Sequence, residues 1–286
     1  MIKKLTCPIC SKTHIQLYWA MPGYKLAKCL NCGTVWDYNP PENELLIYNE
    51  SYFVNANPKG GYANYFEGMK INKKTFAERL RRIQKKYGQG KLLDVGCALG
   101  DCLVEAKKLG WRDPVGLEIS NYAVEKARAR NLNVIPGYLS DTTFPKESFT
   151  IVLYQDVLEH VKDPALELKR AFKIIKKGGV IFLVTPDVEG LWNKILGRLW
   201  YHYKPREHIM YFSPRSLSMA LQKAGFTNIE TRGTYHLLSL EYVLNRLSYY
   251  SPSVFNFILK LIRITSLKNL SFKAYTGEIE AWGEKL

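Results

Sequence analysis

Four cysteines stand as two C-x-x-C pairs, Cys7 with Cys10 and Cys29 with Cys32, with eighteen residues between the pairs. Thiolates at this spacing converge on one tetrahedral zinc ion, each pair on a tight knuckle, and Gly33 permits the backbone turn after the second. Four sulfur ligands leave no open coordination position, so the expected metal is structural. The alternative, four unrelated cysteines, is disfavoured by the spacing. His14 lies between the pairs and is expected on the surface rather than in the ligand set.

A second constellation begins at Leu92-Leu93-Asp94-Val95, an apolar strand that runs through Gly96, Cys97 and Gly100 into a helical pattern. Glycines let backbone approach a ligand closely, and in an open α/β sheet such a turn lies at the carboxyl end of the strand, where ligands bind. Glu118 ends the next apolar run, 24 residues after Asp94. A carboxylate there can accept hydrogen bonds from both hydroxyls of a ribose, so the pair points to an adenosine-containing ligand. The alternative for Asp94 and Glu118 is an ordinary strand-end carboxylate. A third group, Asp156, Glu159, His160 and His208, follows later strands on the same predicted side.

The elements that must position these residues alternate regularly. Apolar runs at 92–95, 115–118, 134–135, 151–154 and 180–184 are separated by helical patterns, which predicts a parallel sheet with helices on both faces. Asp163-Pro164 and Ser213-Pro214 read as helix starts; Gly178-Gly179 and Gly225 read as helix stops. From Lys70 to Tyr87, Phe76, Leu80, Ile83 and Tyr87 recur at helical spacing, with Lys73, Lys74, Arg81, Arg82, Lys85 and Lys86 on a face expected to be solvated.

The chain of 286 residues, 47% apolar, is long enough for one main domain and a small appendage. The sequence predicts a zinc ribbon at 1–38, an aromatic linker or lid at 39–69 (Tyr48, Tyr52, Phe53, Tyr62, Tyr65, Phe66), and the main domain at 70–286. No secretory or spanning segment is expected, which predicts a cytoplasmic protein whose cysteines stay reduced. The net charge of +15 sits on the flanks: 14 basic and 6 acidic side chains in 1–90, 14 and 14 in 91–190, 13 and 6 in 191–286. Basic flanks suit nucleic acid, phosphorylated metabolites or an acidic membrane surface, or serve only solubility.

Taken together, these motifs resemble the class I S-adenosylmethionine (SAM) dependent methyltransferases. Asp94 to Gly100 is similar to their first motif, Gly116 to Ser120 to the second-strand acidic motif, Phe149 to His160 to the fourth strand and its loop, and Lys177 to Pro186 to the fifth. Pro205 to Ser213, continuing through Ala224 to Phe226, resembles a subgroup that includes ubiquinone-pathway O-methyltransferases and sugar methyltransferases. The match covers roughly residues 90–232. Two residues depart from it: Ala98 replaces a frequent Gly, and Thr150 replaces the usual Asp after Phe149.

The resemblance implies a Rossmann-like seven-stranded α/β fold and in-line transfer of a methyl group from a sulfonium to a nucleophile, for which the protein supplies position and a dry site. It places Gly96, Cys97 (through its backbone) and Gly100 along the methionine and ribose, Asp94 by the loop or the cofactor amine, Glu118 on the ribose, Tyr138 or Leu139 beside the adenine, and Gln155 in the cofactor set. A hydroxyl acceptor needs deprotonation, for which His160 and His208 are the candidate bases. In the ubiquinone-pathway relatives the D/E-x-x-E-H pattern is associated with a divalent cation, so the resemblance implies Mg2+ on Asp156, Glu159 and His160. The alternative is that Asp156 caps the following helix and His160 bonds within the fold. Cys97 is not expected to act as a nucleophile.

The expected acceptor is a small molecule, a sugar or glycan, or a lipid-linked molecule, methylated at oxygen. An RNA methyltransferase using ribbon and basic flanks is the second reading, without an N-P-P-Y type motif or a catalytic cysteine in its favour; a non-enzymatic binder is the third. Residues 235–275, between strands expected at 227–232 and 278–285, read as an insertion of two short helices. They either cap the acceptor site or touch an acidic membrane surface, with Arg246, Lys260, Arg263 and Lys268 on the head groups.

Overall fold

A computed structural model describes residues 5–21, 24–41, 50–54, 65–142, 144–248, 251–265, 267 and 270–286. Two sheets carry the architecture. The larger has seven strands in the order β10-β11-β8-β7-β4-β5-β6. Its members are β4 (Leu92–Val95), β5 (Val115–Glu118), β6 (Asn133–Pro136), β7 (Phe149–Gln155), β8 (Ile175–Pro186), β10 (Thr227–Ser239) and β11 (Ser271–Glu284). The strands from β6 to β8 run parallel; β11 is antiparallel to both β8 and β10. The expected Rossmann-like seven-stranded sheet is the one observed.

Continuous apolar runs explain the centre: Leu92, Ile151, Val152, Leu153 and Val180 to Val184 are all buried, as strands covered on both faces require. The covering helices are α2 (Tyr65–Tyr87), α3 (Asp101–Lys108), α4 (Asn121–Arg128), α5 (Pro164–Ile174) and α7 (Pro214–Ala224). Their starts follow the sequence. The Asp163 side chain accepts from the Leu166 amide, Ser213 and Ser216 form a reciprocal cap with Pro214 in the first turn, and Gly225 ends α7 in the left-handed region.

The smaller sheet has the order β1-β2-β3-β9: β1 (Ile15–Met21), β2 (Tyr24–Cys29), β3 (Val35–Asp37) and β9 (Met210–Tyr211). Its fourth strand comes from far along the chain, with Val35 opposite Tyr211 and Trp36 opposite Met210. Ser213 Oγ donates to the Cys32 carbonyl at 2.9 Å and Lys223 Nζ to the Ile9 carbonyl at 2.7 Å. The cysteine region therefore shares its core with the β9–α7 segment, where Phe212, Leu217 and Ala220 join Cys7, Ile9 and Cys10.

Four expectations need correction. The helix expected from Lys70 begins at Tyr65. The Lys176 to Gly179 run is not the end of a helix: α5 stops at Ile174, and these residues form the irregular start of β8, with Gly178 at φ +74°. Strands β10 and β11 reach to Ser239 and back to Ser271, so the insertion shrinks to α8 (Leu240–Leu247), α9 (Pro252–Arg263) and their connections. The cause is β pairing overriding local pattern, since Tyr235 to Ser239 pair with Tyr275 to Ser271. Nor is the basic face of α2 simply solvated, because Arg82 forks onto Glu280 Oε1 and Oε2 at 2.7 and 2.8 Å.

Candidate functional site

The turn after β4 is built by backbone geometry. Gly96 and Gly100 have φ of +69° and +80°, and Ala98 also lies in the left-handed region at +48°. A Cβ on Gly96 would sit 2.4 Å from Val157 Cγ2, and one on Gly100 2.3 Å from Leu132 Cδ1, so both positions exclude side chains on two grounds. Ala98 adopts the same region at a cost of roughly 1 kcal/mol. The fold compensates: its amide donates to Glu118 Oε2 at 2.8 Å, while the Ser120 amide donates to Glu118 Oε1 at 2.8 Å. Glu118 is thus clamped at the end of β5 by the turn it faces, and each of its oxygens keeps a second lone pair for a ligand hydroxyl. Burial raises its carboxyl above the ordinary range against those two amides.

Asp94 is buried beneath this turn. Burial, with Glu118 adding to it, pushes the Asp94 carboxyl up to about 7 against hydrogen bonds from Cys102 and Gln155. Cys97 is buried too, and burial drives its thiol well above the ordinary value, which leaves it without nucleophilic character. Leu139 is buried and Tyr138 half-buried just past β6, and Gln155 ends β7 with its amide 3.4 Å from Cys102 Sγ. These positions gather at the carboxyl ends of β4 to β7. Over the same turn lies α1 (Glu50–Val54), whose Phe53 is buried with Leu99 and Ala123 and stacks on Tyr122 at 5.8 Å. Of the aromatic linker, Tyr48 and Tyr62 lie outside the described residues, as do the side chains of Tyr65 and Phe66.

Past β7 the site becomes ionic. Arg79 of α2, only 3% exposed, donates from Nη1 to Gln155 Oε1 at 3.1 Å, and its Nη2 lies 3.0 Å from His236 Nε2. The same nitrogen bonds Glu278 Oε2, and His202 Nε2 lies 3.7 Å from Glu278 Oε1. Burial alone would raise the Glu278 carboxyl; His236, His202 and Arg79 outweigh it and hold the group far below the usual carboxylate range. Asp156 adjoins this group at φ +56°, and burial followed by the Glu278 charge pushes it up to about 6. Asp156 does not cap the next turn, whose cap position is Val157 and which has no side-chain cap. None of Arg79, His236, His202 and Glu278 was marked by the sequence. Arg79 sat inside a charged helical run, and His236 inside the stretch read as an insertion; the signal available was a histidine and a glutamate on strands flanking one hairpin.

His160 and His208 lie beside this group. Their rings meet edge to face at 4.7 Å, and His160 Nδ1 is 2.7 Å from the Glu207 carbonyl. Burial lowers His160 to about 4, and burial followed by the His160 charge lowers His208 well below its ordinary value. Glu159, 1% exposed, takes a hydrogen bond from Thr185 on Oε2; among the described residues Glu159 Oε1 and the Nδ1 of His208, 4% exposed, have no hydrogen-bond partner. Ligand atoms of Glu159, His160 and His208 all lie within 4.8 Å of one another. Among the described residues the atoms that gather are therefore those of Glu159, His160 and His208, where the expected set has Asp156 in place of His208.

The four cysteines converge as expected. Cys7 and Cys32 Sγ are 3.5 Å apart and Cys10 and Cys29 Sγ 3.4 Å, all four side chains being buried and none in a disulfide. A tetrahedron of zinc–sulfur bonds has edges of about 3.8 Å, so the cluster has the size such an ion needs. His14 is exposed, away from the ligand set.

A glycine turn facing an acidic strand end, at the carboxyl edge of a sheet with one antiparallel strand beside its last parallel one, defines a class I SAM-dependent methyltransferase. The chain belongs to the methyltransferase-domain family, whose model matches residues 67–231. It is 29% identical over 171 residues to a ubiquinone biosynthesis O-methyltransferase of Mesorhizobium japonicum, covering 55% of this chain and 68% of the relative. It is 27% identical over 149 residues to 2-methyl-6-phytyl-1,4-hydroquinone methyltransferase 1, chloroplastic, of Oryza sativa subsp. japonica, covering 50% of this chain. The chain spans only 42% of that rice protein's length. A SAM-dependent methyltransferase of Thermotoga maritima shares the fold with a TM-score of 0.56 at 19% identity, over 85% of this chain and 100% of its own.

Proposed function

We propose that the protein transfers the methyl group of SAM to an oxygen of a small-molecule, sugar or glycan, or lipid-linked acceptor. The observation that carries this reading is the adjacency of two half-sites at one sheet edge: the Glu118-clamped turn, suited to a nucleoside, and the ionic group around Asp156, suited to a polar acceptor. Asp94, Gly96, Cys97, Gly100, Glu118, Tyr138, Leu139 and Gln155 form the cofactor half of the proposal. The two quinone-pathway relatives favour a small-molecule acceptor. Incubation with methyl-labelled SAM and fractionated cell extract tests it. Label in a low-molecular-weight or lipid fraction is expected, whereas label that disappears after nuclease treatment would transfer the assignment to RNA.

The reading divides the chain into a ribbon at 1–38, a connector at 39–69 and the transferase at 70–286. In the ribbon, Cys7, Cys10, Cys29 and Cys32 hold a structural zinc ion, and elemental analysis of protein purified without chelator should find one zinc per chain. Next to the acceptor half, Glu159, His160 and His208 offer one oxygen and two nitrogens. That donor set fits a transition-metal ion better than Mg2+, which prefers oxygen. Full turnover in excess EDTA would remove the cation and leave His160 and His208 as packing residues or weak bases.

No helix among the described residues is long and apolar enough to cross a membrane. Helices α8 and α9 bury Leu244, Leu259 and Ile262 against each other, while Val254, Phe257, Leu261 and Ile264 face outward, Phe257 being 64% and Ile264 83% exposed. Lys260 and Arg263 are exposed on the same helix; the Arg246 side chain and Lys268 lie outside the described residues. This face suits peripheral contact of a cytoplasmic protein with an anionic bilayer. Salt-sensitive cosedimentation with anionic liposomes is the expected result, and a wild type that stays in the supernatant at low salt makes the helices a lid only.

A further inference from the structure

The chain between β8 and β9 turns its apolar side outward. It forms α6 (Leu191–Leu196) and a single 3-10 turn (Gly197–Leu199), then returns through Tyr201 and His202 toward β9. A helix on the surface of a water-soluble domain buries its apolar residues and exposes its polar ones. Here Asn193 is buried and donates from Nδ2 to the Val188 carbonyl, while Leu191, Trp192, Ile195, Leu196, Leu199 and Tyr201 are exposed, Ile195 at 63% and Leu199 at 80%. Of the apolar residues in 191–201 only Trp200 turns in, to pack with Tyr24, Val188 and Tyr211. Exposed apolar surface gathered on one short segment marks a contact site. From Leu191 to Arg206 the sequence holds no acidic residue, and Lys194, Arg198 and Arg206 are exposed bases.

The inner side of this segment is tied to the acceptor half. Trp192 Nε1 donates to the Tyr275 carbonyl at 2.7 Å and the Tyr201 hydroxyl to the Thr276 carbonyl; His202 Nε2 lies 3.3 Å from that same oxygen and 3.7 Å from Glu278 Oε1. Gly277, at φ +82°, makes room for it, since a Cβ there would sit 3.4 Å from Trp192 Cβ and 3.3 Å from Trp200 Nε1. We propose that residues 191–201 are a seat by which the chain docks on an anionic lipid bilayer, and that the methyl acceptor is an amphiphile drawn from that bilayer. The acceptor clause rests on the methyl-transfer reading above; the seat stands without it. Charge complementarity selects the bilayer, because an apolar surface flanked by bases and free of acids meets acyl chains and anionic head groups together. Trp192 and Tyr201 already give their polar hydrogens to hairpin carbonyls, so their rings enter apolar surroundings without stranding a donor. The seat is distinct from the outward face of α9: it packs on β11 at 275–277, whereas α8 and α9 lie between Leu240 and Arg263, past the hairpin's far end. Docked this way, the chain offers its acceptor half to a head group whose tail stays in the lipid.

The test uses the full chain and vesicles of mixed phosphatidylglycerol and phosphatidylcholine, with phosphatidylcholine alone as the uncharged control. Wild type should cosediment with the anionic vesicles, and less so as salt rises. Ile195→Ser combined with Leu199→Ser should lower the partition coefficient about tenfold or more at every salt concentration. Both side chains are exposed, so Tm and SAM affinity should stay at wild-type values. Lys194→Gln combined with Arg198→Gln should lower partitioning about tenfold at low salt and little at high salt. Brominated acyl chains should quench Trp192, the most exposed tryptophan, and Trp192→Phe should remove that quenching. A wild type absent from the vesicle pellet, or an Ile195→Ser, Leu199→Ser chain that binds as wild type because α9 carries the contact, overturns the seat and leaves methyl transfer standing. Self-association that is lost in the same variant, in place of vesicle binding, assigns the face to a second copy and overturns it as well. With methyl-labelled SAM and vesicles made from extract lipid, label in the lipid is expected, and label confined to the aqueous fraction overturns the amphiphilic acceptor. A chain that binds vesicles and SAM but labels nothing overturns the transferase reading and leaves the seat in place.

Discussion

The two halves of the sheet's carboxyl edge are assembled in opposite ways. The half over β4, β5 and β6 is made of residues close in sequence, 94 to 139, and works mainly through backbone: left-handed glycines, and amides of Ala98 and Ser120 that hold Glu118. The half over β8, β10 and β11 is made of side chains from residues as far apart as 79 and 278, held by ion pairs in a low-dielectric setting. A backbone-built site presents one constant ligand in one constant way. A side-chain-built site can change its acceptor by substitution without disturbing the strands beneath it, which is how one fold serves many acceptors.

That contrast predicts separable failures. The largest effect is expected from Gly96→Val, where the added side chain meets Val157 in a left-handed turn. It should cost about 4 kcal/mol of stability or more and abolish SAM binding, read by thermal unfolding and calorimetry. Next, Glu118→Ala removes the proposed ribose acceptor and strands two amides. It should weaken SAM by on the order of 2 to 4 kcal/mol; unchanged affinity would mean that the backbone turn alone holds the cofactor.

On the opposite half, Glu280→Gln should act on stability and spare SAM affinity. Glu280 is buried between Arg82, Arg232 and Thr234; burial raises its carboxyl, but these partners outweigh it and bring it to about 2. The loss should be on the order of 2 kcal/mol, reduced from the fully buried case because Arg82 is 35% exposed. Since the folded-state value is depressed, this stability is present above the ordinary carboxylate range and is lost as pH falls from about 4.5 toward 2. An acid-unfolding midpoint that does not move in Glu280→Gln breaks the comparison. The smallest effect concerns Asp94, held up to about 7 by burial. A cofactor ammonium beside it should draw its pKa down, so SAM binding should release a fraction of a proton and tighten as pH rises from 6 to 8. Calorimetry in buffers of different ionisation enthalpy should detect that release in the wild type and lose it in Asp94→Asn.

The same contrast governs what was legible in the sequence. The meeting of the glycine turn with Glu118 could be read because a glycine turn, a strand-end Asp and a strand-end Glu are local patterns. The convergence of four cysteines was legible for the same reason, since metal geometry restricts their spacing. The ionic group was not. Arg79 had the composition of a solvated helix face, and the residues from Tyr235 to Ser239 gave no alternation that marked them as strand, because their partner across the hairpin supplies the pairing. His160 and His208 were recognisable as functional types, yet only the folded chain brings them against Glu159 and separates them from His236.

The strand β9 that closes the cysteine sheet has a consequence for how the chain is made. Val35 pairs with Tyr211, so the first sheet to be translated is the one that waits for an edge synthesised 176 residues later. At ribosomal rates that interval is roughly 9 to 35 seconds. Through it the nascent chain exposes the side of β3 that will take Met210 and Tyr211, along with four thiols that have not yet acquired their final neighbours. Early capture of a metal ion during synthesis would shield those thiols from oxidation and hold the unfinished edge in shape until its partner emerges.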